Sequence, residues 1–331
     1  MKCTVLGAGA WGTTFGQVMA DAGNDVTMWA IEPKIVEGIR DRHHNAVRLP
    51  SVAKLPDNMT ATGDRAQAVK DADIIVVAIA AQFARVALAE FKDLIPDTAV
   101  VVSLMKGIER NTKKRMDEVV REALDLPAER FAAVSGPNLS KEIADRQPAA
   151  TVVACENLDN ARKVASACTT SYFKAFITSD VIGLEMCGSL KNVVALAVGM
   201  ARGAGYGENT AAMIETRGLA ELTALGKAAG ADPKTFAGLA GVGDLIATCG
   251  SPLSRNYTFG SNLGKGLSVE EATKVSNGVA EGVPTADAVV ALGKQYGVPT
   301  PLATAMSHVL SDGISCAQML SELFGESISE E

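Results

Sequence analysis

A glycine-rich turn within the first dozen residues most limits how this chain can fold. Gly7–Gly12 reads G-x-G-x-x-G, follows the apolar run Cys3–Leu6 and opens a helix-like segment. In this context the first glycine permits a tight turn, the second lets the backbone approach a pyrophosphate, and the third allows close helix–strand packing. The helix N-terminus favours the bound negative charge. The glycines of this motif, Gly7, Gly9 and Gly12, are the predicted dinucleotide-binding residues here.

The rest of the first half predicts a parallel sheet covered by helices on both faces. Short apolar runs alternate with helix-like segments such as Gly12–Asp21 and Thr112–Ala123, the pattern of a doubly wound α/β fold. After Asp180 strand-like runs disappear. We therefore expect a Rossmann-like, doubly wound, mostly parallel sheet in residues 1–179, and an all-helical domain in residues 180–331. The expected strands are Cys3–Leu6, Val26–Trp29, Ile74–Ala78, Ala99–Ser103, Ala132–Ser135 and Ala150–Ala154.

Composition argues against several classes of protein. With 31 basic and 38 acidic residues the net charge is −7, and an acidic surface disfavours nucleic-acid binding. We expect no membrane helix, since no apolar run reaches about 18 residues, and no signal peptide, since the start leads directly into a strand. The six cysteines form no CxxC pair and there are three histidines, so we expect no metal site and a reducing cytoplasm. The acidic tail Glu326–Glu331 is expected to be frayed.

Residues after the second expected strand bear on the cofactor. Glu32 lies 20 residues past Gly12, where an acidic residue binds the ribose hydroxyls of NAD; the alternative is a solvated, helix-capping acid. Ile31 cannot donate a hydrogen bond to the 2′-phosphate of NADPH, and Glu32 would repel it. Lys34 or Arg48 could supply the missing positive charge. We expect NADH to be preferred or at least equal to NADPH.

Two later strands are expected to end in polar turns. Lys106 lies in the segment Ser103–Glu109, and Gly136 lies in the segment Val134–Ser140. Because the carboxyl ends of strands in such sheets face the ligand crevice, Lys106 could reach a phosphate or a carbonyl. The second turn could place backbone N–H groups beside a nicotinamide or a substrate. The alternatives are an exposed loop lysine and an ordinary turn.

The helical half contains a lysine within an apolar helix. Lys191 and Asn192 interrupt the segment Gly188–Ala197, so at least one of them should be partly buried. Burial of an unpaired ammonium is costly and lowers the pKa of a lysine, which can make it an acid–base catalyst near neutral pH. The alternative is a lysine whose head group snorkels to the surface.

Two further segments of this half carry charged or polar candidates. Asp244 lies in the glycine-rich, apolar segment Gly241–Cys249 and could hold a catalytic lysine by a hydrogen bond. Arg255 is a candidate bidentate clamp for a phosphate, and Asn256 adds a neutral donor. Each of these residues alone would be an ordinary loop residue. Only their combination indicates a site.

Taken together these segments resemble the bacterial type of NAD(P)-dependent sn-glycerol-3-phosphate dehydrogenase. The resemblance extends from residue 3 to beyond residue 310. The Leu190-Lys191-Asn192 and Gly241–Leu245 segments distinguish this family from other dinucleotide-binding enzymes. The shared segments are Gly7–Gly12, Lys106-Gly107, Ser135-Gly136-Pro137, Gly188–Asn192, Thr216–Glu221, Gly241–Thr248 and Ser254-Arg255-Asn256.

The resemblance implies reversible reduction of dihydroxyacetone phosphate to sn-glycerol 3-phosphate, a phospholipid precursor, by a homodimer that uses NAD or NADP. It implies that Lys191 donates the proton, that Asp244 supports it, and that Lys106 contacts cofactor and substrate. Arg255 and Asn256 would hold the substrate phosphate. It further implies substrate contacts of Gly136, Asn138, Asn192, Thr248 and Ser254, and cofactor contacts of Ala10, Trp11, Ile31, Glu32, Arg48, Ser140, Arg255, Val279 and Glu281.

Some positions depart from the family pattern. Ala10-Trp11 replaces the common Ser-Tyr or Ser-Phe, Asn138-Leu139-Ser140 replaces Ser/Thr-Phe-Ala, and Ile31 stands where bacterial members often carry Arg or His. A rival interpretation is another two-domain reductase, acting on a 2-hydroxyacid or ketopantoate; the Ser254-Arg255-Asn256 element disfavours it. A second rival is a non-catalytic nicotinamide sensor, which could lack Lys191 or Asp244.

Overall fold

The computed structural model describes residues 1–276 and 280–325, which divide into two compact units. The sheet unit comprises residues 1–109 and 114–185, and the helical unit comprises residues 110–113 and those from 186 onward. The domain boundary expected at residues 179 and 180 lies shortly before this change of unit and stays a prediction. Val279 and the tail Glu326–Glu331 lie outside the described residues.

The sheet unit contains one eight-stranded sheet in the order β3-β2-β1-β4-β5-β6-β7-β8. All neighbouring strands are parallel except β6 and β7, which confirms the doubly wound, mostly parallel sheet. The strands are β1 Lys2–Leu6, β2 Asp25–Trp29, β3 Met59–Thr62, β4 Ile74–Val77, β5 Val100–Ser103, β6 Phe131–Ser135, β7 Ala149–Ala154 and β8 Phe173–Thr178.

The sequence patterns missed β3 and β8, the two edge strands. Central strand β4 is fully buried on both faces and reads as a continuous apolar run. In contrast, β3 has the mixed sequence MTAT, and β8 leaves Phe176 and Ile177 partly exposed. Because an edge strand is covered less than a central one, it lacks the apolar signal that identified the others.

Helices cover this sheet on both faces. The predicted helix Thr112–Ala123 begins later than expected, at Met116, because Ile108 and Arg115 first form an antiparallel bridge. Short 3-10 turns span Ala81–Phe83 and Ala128–Arg130. The helices of the unit are α1 Ala10–Asp21, α2 Pro33–Arg42, α3 Arg65–Val69, α4 Ala84–Ala89, α5 Met116–Leu124, α6 Ser140–Ala144 and α7 Leu158–Cys168.

From residue 186 onward the described residues form helices and connecting turns without a strand, as the sequence predicted. Helix α8 begins in the sheet unit and continues in the helical unit. A π-helical turn spans Leu239–Gly243. The helices are α8 Val181–Gly203, α9 Glu208–Ala228, α10 Pro233–Phe236, α11 Asp244–Cys249, α12 Arg255–Gly264, α13 Val269–Val275, α14 Gly282–Tyr296, α15 Pro301–Asp312 and α16 Cys316–Phe324.

Helix α8 packs closely against α12. A Cβ added at Gly199 would lie 2.1 Å from the Tyr257 carbonyl oxygen, and one added at Gly260 would lie 2.1 Å from the Leu196 carbonyl oxygen. Glycine is therefore required where α8 and α12 approach each other. By length and hydropathy α8 could also cross a membrane, contrary to the sequence expectation, but 94% of its most apolar stretch is buried inside the protein. Such burial is typical of a core helix.

Candidate active site

The glycine-rich turn joins β1 to α1. A Cβ at Gly7, where φ is 111°, would lie 2.6 Å from the Ala78 carbonyl oxygen. A Cβ at Gly12 would lie 2.2 Å from the Gly7 carbonyl oxygen, whereas a Cβ at Gly9 meets nothing within 4 Å. The protein's own packing therefore requires the first and third glycines, while the second borders open space that suits an approaching phosphate.

Hydrogen-bond donors are available at the start of α1. Gly9 is the N-cap residue, no side chain caps the helix, and its first turn contains no acidic residue. The indole Nε1 of Trp11 is buried and has no hydrogen-bond partner among the described residues. The Trp11 ring packs edge-on against Phe15, with ring centroids 5.6 Å apart. The open space at Gly9 and the uncapped first turn of α1 fit the phosphates of a dinucleotide, whereas the buried Trp11 nitrogen is closed to solvent.

The predicted ribose-binding residues lie beyond β2. Ile31 is 75% exposed. Glu32 occupies the N-cap position of α2 but does not cap the helix through its side chain. Instead its Oε1 lies 3.2 Å from Nη2 of Arg48, in an exposed ion pair. Glu32 and Arg48 were expected to have opposite effects on the 2′-phosphate of NADPH. In this structure they pair with each other.

The structure brings together the two predicted turns after β5 and β6. Nζ of Lys106 donates a hydrogen bond of 3.1 Å to the carbonyl oxygen of Gly136. In the segment that follows Lys106, the Ile108 carbonyl accepts from Nε2 of Gln82 at 2.8 Å, and the two carboxylate oxygens of Glu109 bind Arg85 at 2.9 Å and 2.9 Å. Sequence analysis missed these supports, because each joins residues more than 20 positions apart.

Asn138 and Ser140 lie at the β6–α6 connection. Nδ2 of Asn138 donates to the Ala150 carbonyl at 3.3 Å, and its Oδ1 accepts from the Thr151 hydroxyl at 3.0 Å. Both polar ends of Asn138 therefore bond to β7. The main-chain carbonyl of Ser140, the first residue of α6, accepts from the Thr14 hydroxyl of α1 at 3.2 Å. Their expected ligand contacts stay predictions.

In the helical unit, Lys191 forms a buried cluster with two other side chains. Nζ of Lys191 lies 2.5 Å from Oδ1 of Asp244 and 2.5 Å from Oγ1 of Thr248. The Thr248 hydroxyl donates to the same Asp244 oxygen at 3.3 Å. Lys191 is 5% exposed and Asp244 2%. The alternative of a snorkelling lysine is therefore wrong, since the ammonium is buried and paired.

A π-helical turn directly precedes Asp244. The turn ends at Gly243, and Asp244 opens α11. A Cβ at Gly241 would lie 1.9 Å from the Phe236 carbonyl oxygen, so only glycine fits this approach. Asp244 and Thr248 are four residues apart and share one face of α11. The glycine-rich sequence pointed to Asp244, but it did not indicate a π-helical turn, a feature frequent at functional sites.

A second hydrogen-bond chain runs through Asn256. Its Nδ2 donates to Oδ1 of Asn192 at 2.9 Å, and its Oδ1 accepts from the backbone N–H of Gly282 at 2.9 Å. Asn192 and Asn256 are 4% and 8% exposed. The chain therefore joins α8, α12 and the start of α14. The orientation of both amide groups is fixed by these bonds.

Ser254, Arg255 and Glu281 complete the predicted residues of the helical unit. The hydroxyl of Ser254 caps α12 by accepting from the Tyr257 N–H at 3.2 Å. Arg255 is exposed at the start of the helix. Burial raises the pKa of Glu281, and the positive charge of Arg255 opposes that rise. Glu281 is thus largely desolvated within the electrostatic reach of an exposed cation.

Within residues 1–276 and 280–325, no group of three or more His, Cys, Asp or Glu side chains could hold a metal ion. The described candidate groups are an ammonium, a carboxylate, a hydroxyl, amides and a guanidinium. These can transfer a proton and bind an anion.

Two family profiles match nearly the whole chain. Residues 2–161 match the N-terminal part of NAD-dependent glycerol-3-phosphate dehydrogenase, and residues 180–321 match its C-terminal part.

Similar proteins carry the same description. A glycerol-3-phosphate dehydrogenase [NAD(P)+] of Bifidobacterium longum subsp. infantis is 85% identical over 99% of this chain and 98% of its own length. Its counterpart in Corynebacterium kroppenstedtii is 50% identical over 96% of each chain. The crystal structure of glycerol-3-phosphate dehydrogenase from Coxiella burnetii superposes with a TM-score of 0.92 at 30% identity, covering 98% of this chain and 99% of that one.

Proposed function

Because this chain belongs to the NAD-dependent glycerol-3-phosphate dehydrogenase family, we propose that it reduces dihydroxyacetone phosphate reversibly to sn-glycerol 3-phosphate, with Lys191 as the general acid–base. The chain is an NAD(P)-dependent oxidoreductase. The observation that carries the proposed mechanism is the buried cluster in which the Lys191 ammonium lies 2.5 Å from both Asp244 and Thr248.

The bound reduced nicotinamide would supply a hydride to the carbonyl carbon. The protein itself must supply a proton to the carbonyl oxygen. As the carbonyl oxygen gains negative charge, Nζ of Lys191 donates a proton to it and becomes a neutral amine. In the oxidative direction the amine accepts the hydroxyl proton. General acid–base catalysis of this kind contributes about 10²- to 10⁴-fold.

Asp244 and Thr248 prepare Lys191 for this step. Burial favours the neutral amine, whereas a carboxylate at 2.5 Å favours the ammonium. Thr248 accepts from Lys191 and donates to Asp244, so it fixes the direction of the Lys191 side chain. The cluster therefore keeps a proton on a desolvated lysine until an acceptor oxygen develops charge.

The substrate phosphate is proposed to bind Arg255, with Asn256, Asn192 and Ser254 beside it. Arg255 is an exposed guanidinium, and a guanidinium can bind two phosphate oxygens at once. Nδ2 of Asn256 donates to the side-chain oxygen of Asn192 at 2.9 Å. The amide N–H groups of Asn192 therefore point away from Asn256. Lys106 and Gly136, joined at 3.1 Å, are proposed to contact substrate and cofactor.

The proposed cofactor site comprises the turn Gly7–Gly12 and the residues beyond β2. The open space at Gly9 and the backbone N–H groups at the uncapped start of α1 fit the pyrophosphate. Ile31, Glu32 and Arg48 are proposed to border the adenosine ribose. In the same proposal Ser140, Val279 and Glu281 contact the cofactor, and Asn138 stays a candidate on the substrate side.

We also propose the cellular setting that the reaction implies. sn-Glycerol 3-phosphate is the backbone of phospholipids, so the product would enter lipid biosynthesis in the cytoplasm. The net charge of −7 supports a small-molecule substrate rather than a nucleic acid as partner. A homodimer is proposed from the family resemblance.

A substrate panel tests the reaction. Purified protein with NADH or NADPH should consume the reduced nicotinamide when dihydroxyacetone phosphate is added, and much more slowly with dihydroxyacetone or ketopantoate. Dihydroxyacetone is the matched control, because it keeps the reacting carbonyl and lacks only the phosphate. Equal turnover of both compounds would contradict the phosphate site, and turnover of ketopantoate alone would support the rival reductase.

A further inference from the structure

A buried asparagine in the loop after α2 hydrogen-bonds the glycine-rich turn. Asn45 is 1% exposed. Its Nδ2 donates to the Ala8 carbonyl oxygen at 3.0 Å and to the Thr13 hydroxyl oxygen at 2.8 Å. Ala8 lies inside the turn Gly7–Gly12, and Thr13 lies in the first turns of α1. One amide group therefore uses both of its hydrogens to hold the turn and the start of the helix.

The other end of the same side chain holds Arg48. Oδ1 of Asn45 accepts from the backbone N–H of Arg48 at 3.1 Å, and the Arg48 side chain pairs with Glu32 at 3.2 Å. Asn45 thus connects the proposed pyrophosphate site with the charged pair proposed at the ribose.

The loop that carries Asn45 is itself anchored. The carbonyl of His43, which ends α2 with a φ of 46°, accepts from the Leu55 N–H at 2.6 Å. Leu49, Val52 and Leu55 are buried. The hydrogen bond between His43 and Leu55 and the buried side chains hold the loop in place. The Asn45 amide therefore has a fixed position.

From these contacts we propose that Asn45 is a positioning residue for NAD(P). Binding of a phosphate at a helix N-terminus depends on the direction of backbone N–H groups, and Asn45 fixes the main chain that carries them. Without its donors, the Ala8 carbonyl and the fully buried Thr13 hydroxyl would have to reorganise before the cofactor binds, and preorganisation is a main determinant of affinity. The inference rests on the proposed cofactor site at Gly7–Gly12.

Nicotinamide fluorescence titration of Asn45→Ala tests this role without relying on turnover. We expect the Kd for NADH and for NADPH to rise by about tenfold, because the glycine-rich turn is no longer held in its binding conformation, while the KM for dihydroxyacetone phosphate at saturating cofactor stays within about twofold. A folded Asn45→Ala protein with wild-type Kd for both cofactors would overturn the proposal.

Asn24 provides a matched control at the opposite end of α1. It is 4% exposed, and its Nδ2 also makes two hydrogen bonds, to the Met19 carbonyl at 2.7 Å and the Ala167 carbonyl at 2.9 Å. Asn24→Ala should lower the melting temperature as a loss of buried bonds does, yet leave the Kd for NADH unchanged. If both variants raise the Kd equally at an equal loss of melting temperature, the effect of Asn45 is only structural and the proposal is wrong.

Thr13→Val supplies a milder test in case Asn45→Ala does not fold. It removes one acceptor of Asn45 and keeps the bond to Ala8. We expect a smaller rise in Kd for both cofactors, and a wild-type Kd would overturn the proposal. The wild-type titration separates this inference from the proposed function: failure of the wild type to bind either cofactor would remove both, whereas tight binding that no variant weakens would remove only this one.

Discussion

The candidate cofactor site of the sheet unit is built mainly from main chain, whereas the candidate catalytic site of the helical unit is built from side chains. At the glycine-rich turn the decisive features are a φ of 111° at Gly7 and the open space at Gly9. Around Lys191 they are hydrogen bonds between buried side chains. Backbone shape therefore determines one site, and desolvated charge determines the other.

This difference predicts opposite responses to substitution. In the sheet unit the pair Glu32–Arg48 is exposed, and an exposed pair contributes at most about 1 kcal/mol. In the helical unit the pair Lys191–Asp244 is almost fully buried. Removal of one partner of a buried pair leaves an uncompensated charge and costs about 3–5 kcal/mol. Changes around Lys191 should therefore affect folding as well as turnover.

The largest expected effect follows Lys191→Met. We expect kcat to fall by about 10²-fold or more, because no proton donor remains for the developing alkoxide. NADH binding to the sheet unit should persist in a fluorescence titration. The measurement is the steady-state rate with dihydroxyacetone phosphate over a range of pH.

Two further proteins separate catalysis from folding in that experiment. Lys191→Met combined with Asp244→Asn removes the charge that would otherwise be buried alone, so it should recover melting temperature without recovering kcat. Lys227→Met, at an exposed position of α9, should keep wild-type turnover. A near wild-type kcat in Lys191→Met would show that Lys191 is not the general acid.

The same difference explains which features the sequence could predict. The turn Gly7–Gly12 is a local motif, so its fold context followed directly from the neighbouring strand and helix. Lys191 was recognisable as a charge within an apolar helix. In contrast, Asn45 bonds Ala8 across 37 positions and Asn256 bonds Asn192 across 64. No local pattern marks such a pair, because each residue alone resembles an ordinary loop or helix polar group.

Arg255→Ala tests whether the loss of an exposed cation impairs the reaction as much as a change in the buried Lys191 cluster does. We expect binding of dihydroxyacetone phosphate to weaken by on the order of 2–5 kcal/mol, the effect of truncating one partner of a charge-assisted pair. The Kd for NADH should change much less. The KM for dihydroxyacetone phosphate and a fluorescence titration with NADH measure the two effects.

Arg202→Ala is a suitable control, since Arg202 pairs on the surface with Glu208 at 2.5 Å. It removes the same positive charge from the helical unit and should leave the KM for dihydroxyacetone phosphate unchanged. If Arg202→Ala raises this KM as much as Arg255→Ala does, the effect is general electrostatics rather than a phosphate contact.

Glu221 shows how the helical unit responds to a buried charge outside the candidate site. Its carboxylate accepts from the N–H groups of Leu302 and Ala303 at 2.8 Å and 3.2 Å, at the start of α15. Burial nevertheless raises the pKa of Glu221 from 4.5 to about 7. The folded protein therefore binds this proton more tightly than the unfolded chain. The resulting stabilisation is full below pH 4.5 and is lost as the pH rises through about 7.

Glu221→Gln removes this titration and keeps a carbonyl acceptor for α15. Between pH 4.5 and 7 the free energy of unfolding of the wild type should fall relative to the variant by up to about 3 kcal/mol. Urea unfolding at several pH values measures the difference. Glu270→Gln, which removes an exposed carboxylate paired only with Lys274, is the control for loss of a surface charge. A constant difference between wild type and Glu221→Gln would contradict the raised pKa.

The smallest expected effect concerns the exposed charges of the sheet unit. NADPH differs from NADH by a 2′-phosphate, which enzymes that favour NADPH usually bind with an arginine near this position. Here Ile31 is 75% exposed and cannot donate a hydrogen bond. Arg48 could donate one, but its guanidinium lies 3.2 Å from the Glu32 carboxylate. A 2′-phosphate would therefore have to compete with Glu32 for Arg48.

We accordingly expect NADH to be preferred or at least equal, and Ile31→Arg to shift kcat/KM toward NADPH by about tenfold, or about 1.4 kcal/mol. Glu32→Gln should shift the ratio in the same direction, because it frees Arg48 and removes the repulsion. Arg48→Ala should shift it toward NADH. Steady-state rates with each cofactor at fixed dihydroxyacetone phosphate measure all three. A strong wild-type preference for NADPH would contradict this expectation. If Arg48→Ala abolishes that preference, Arg48 leaves Glu32 and binds the 2′-phosphate. If the preference survives Arg48→Ala, Lys34 is the residue that binds the phosphate.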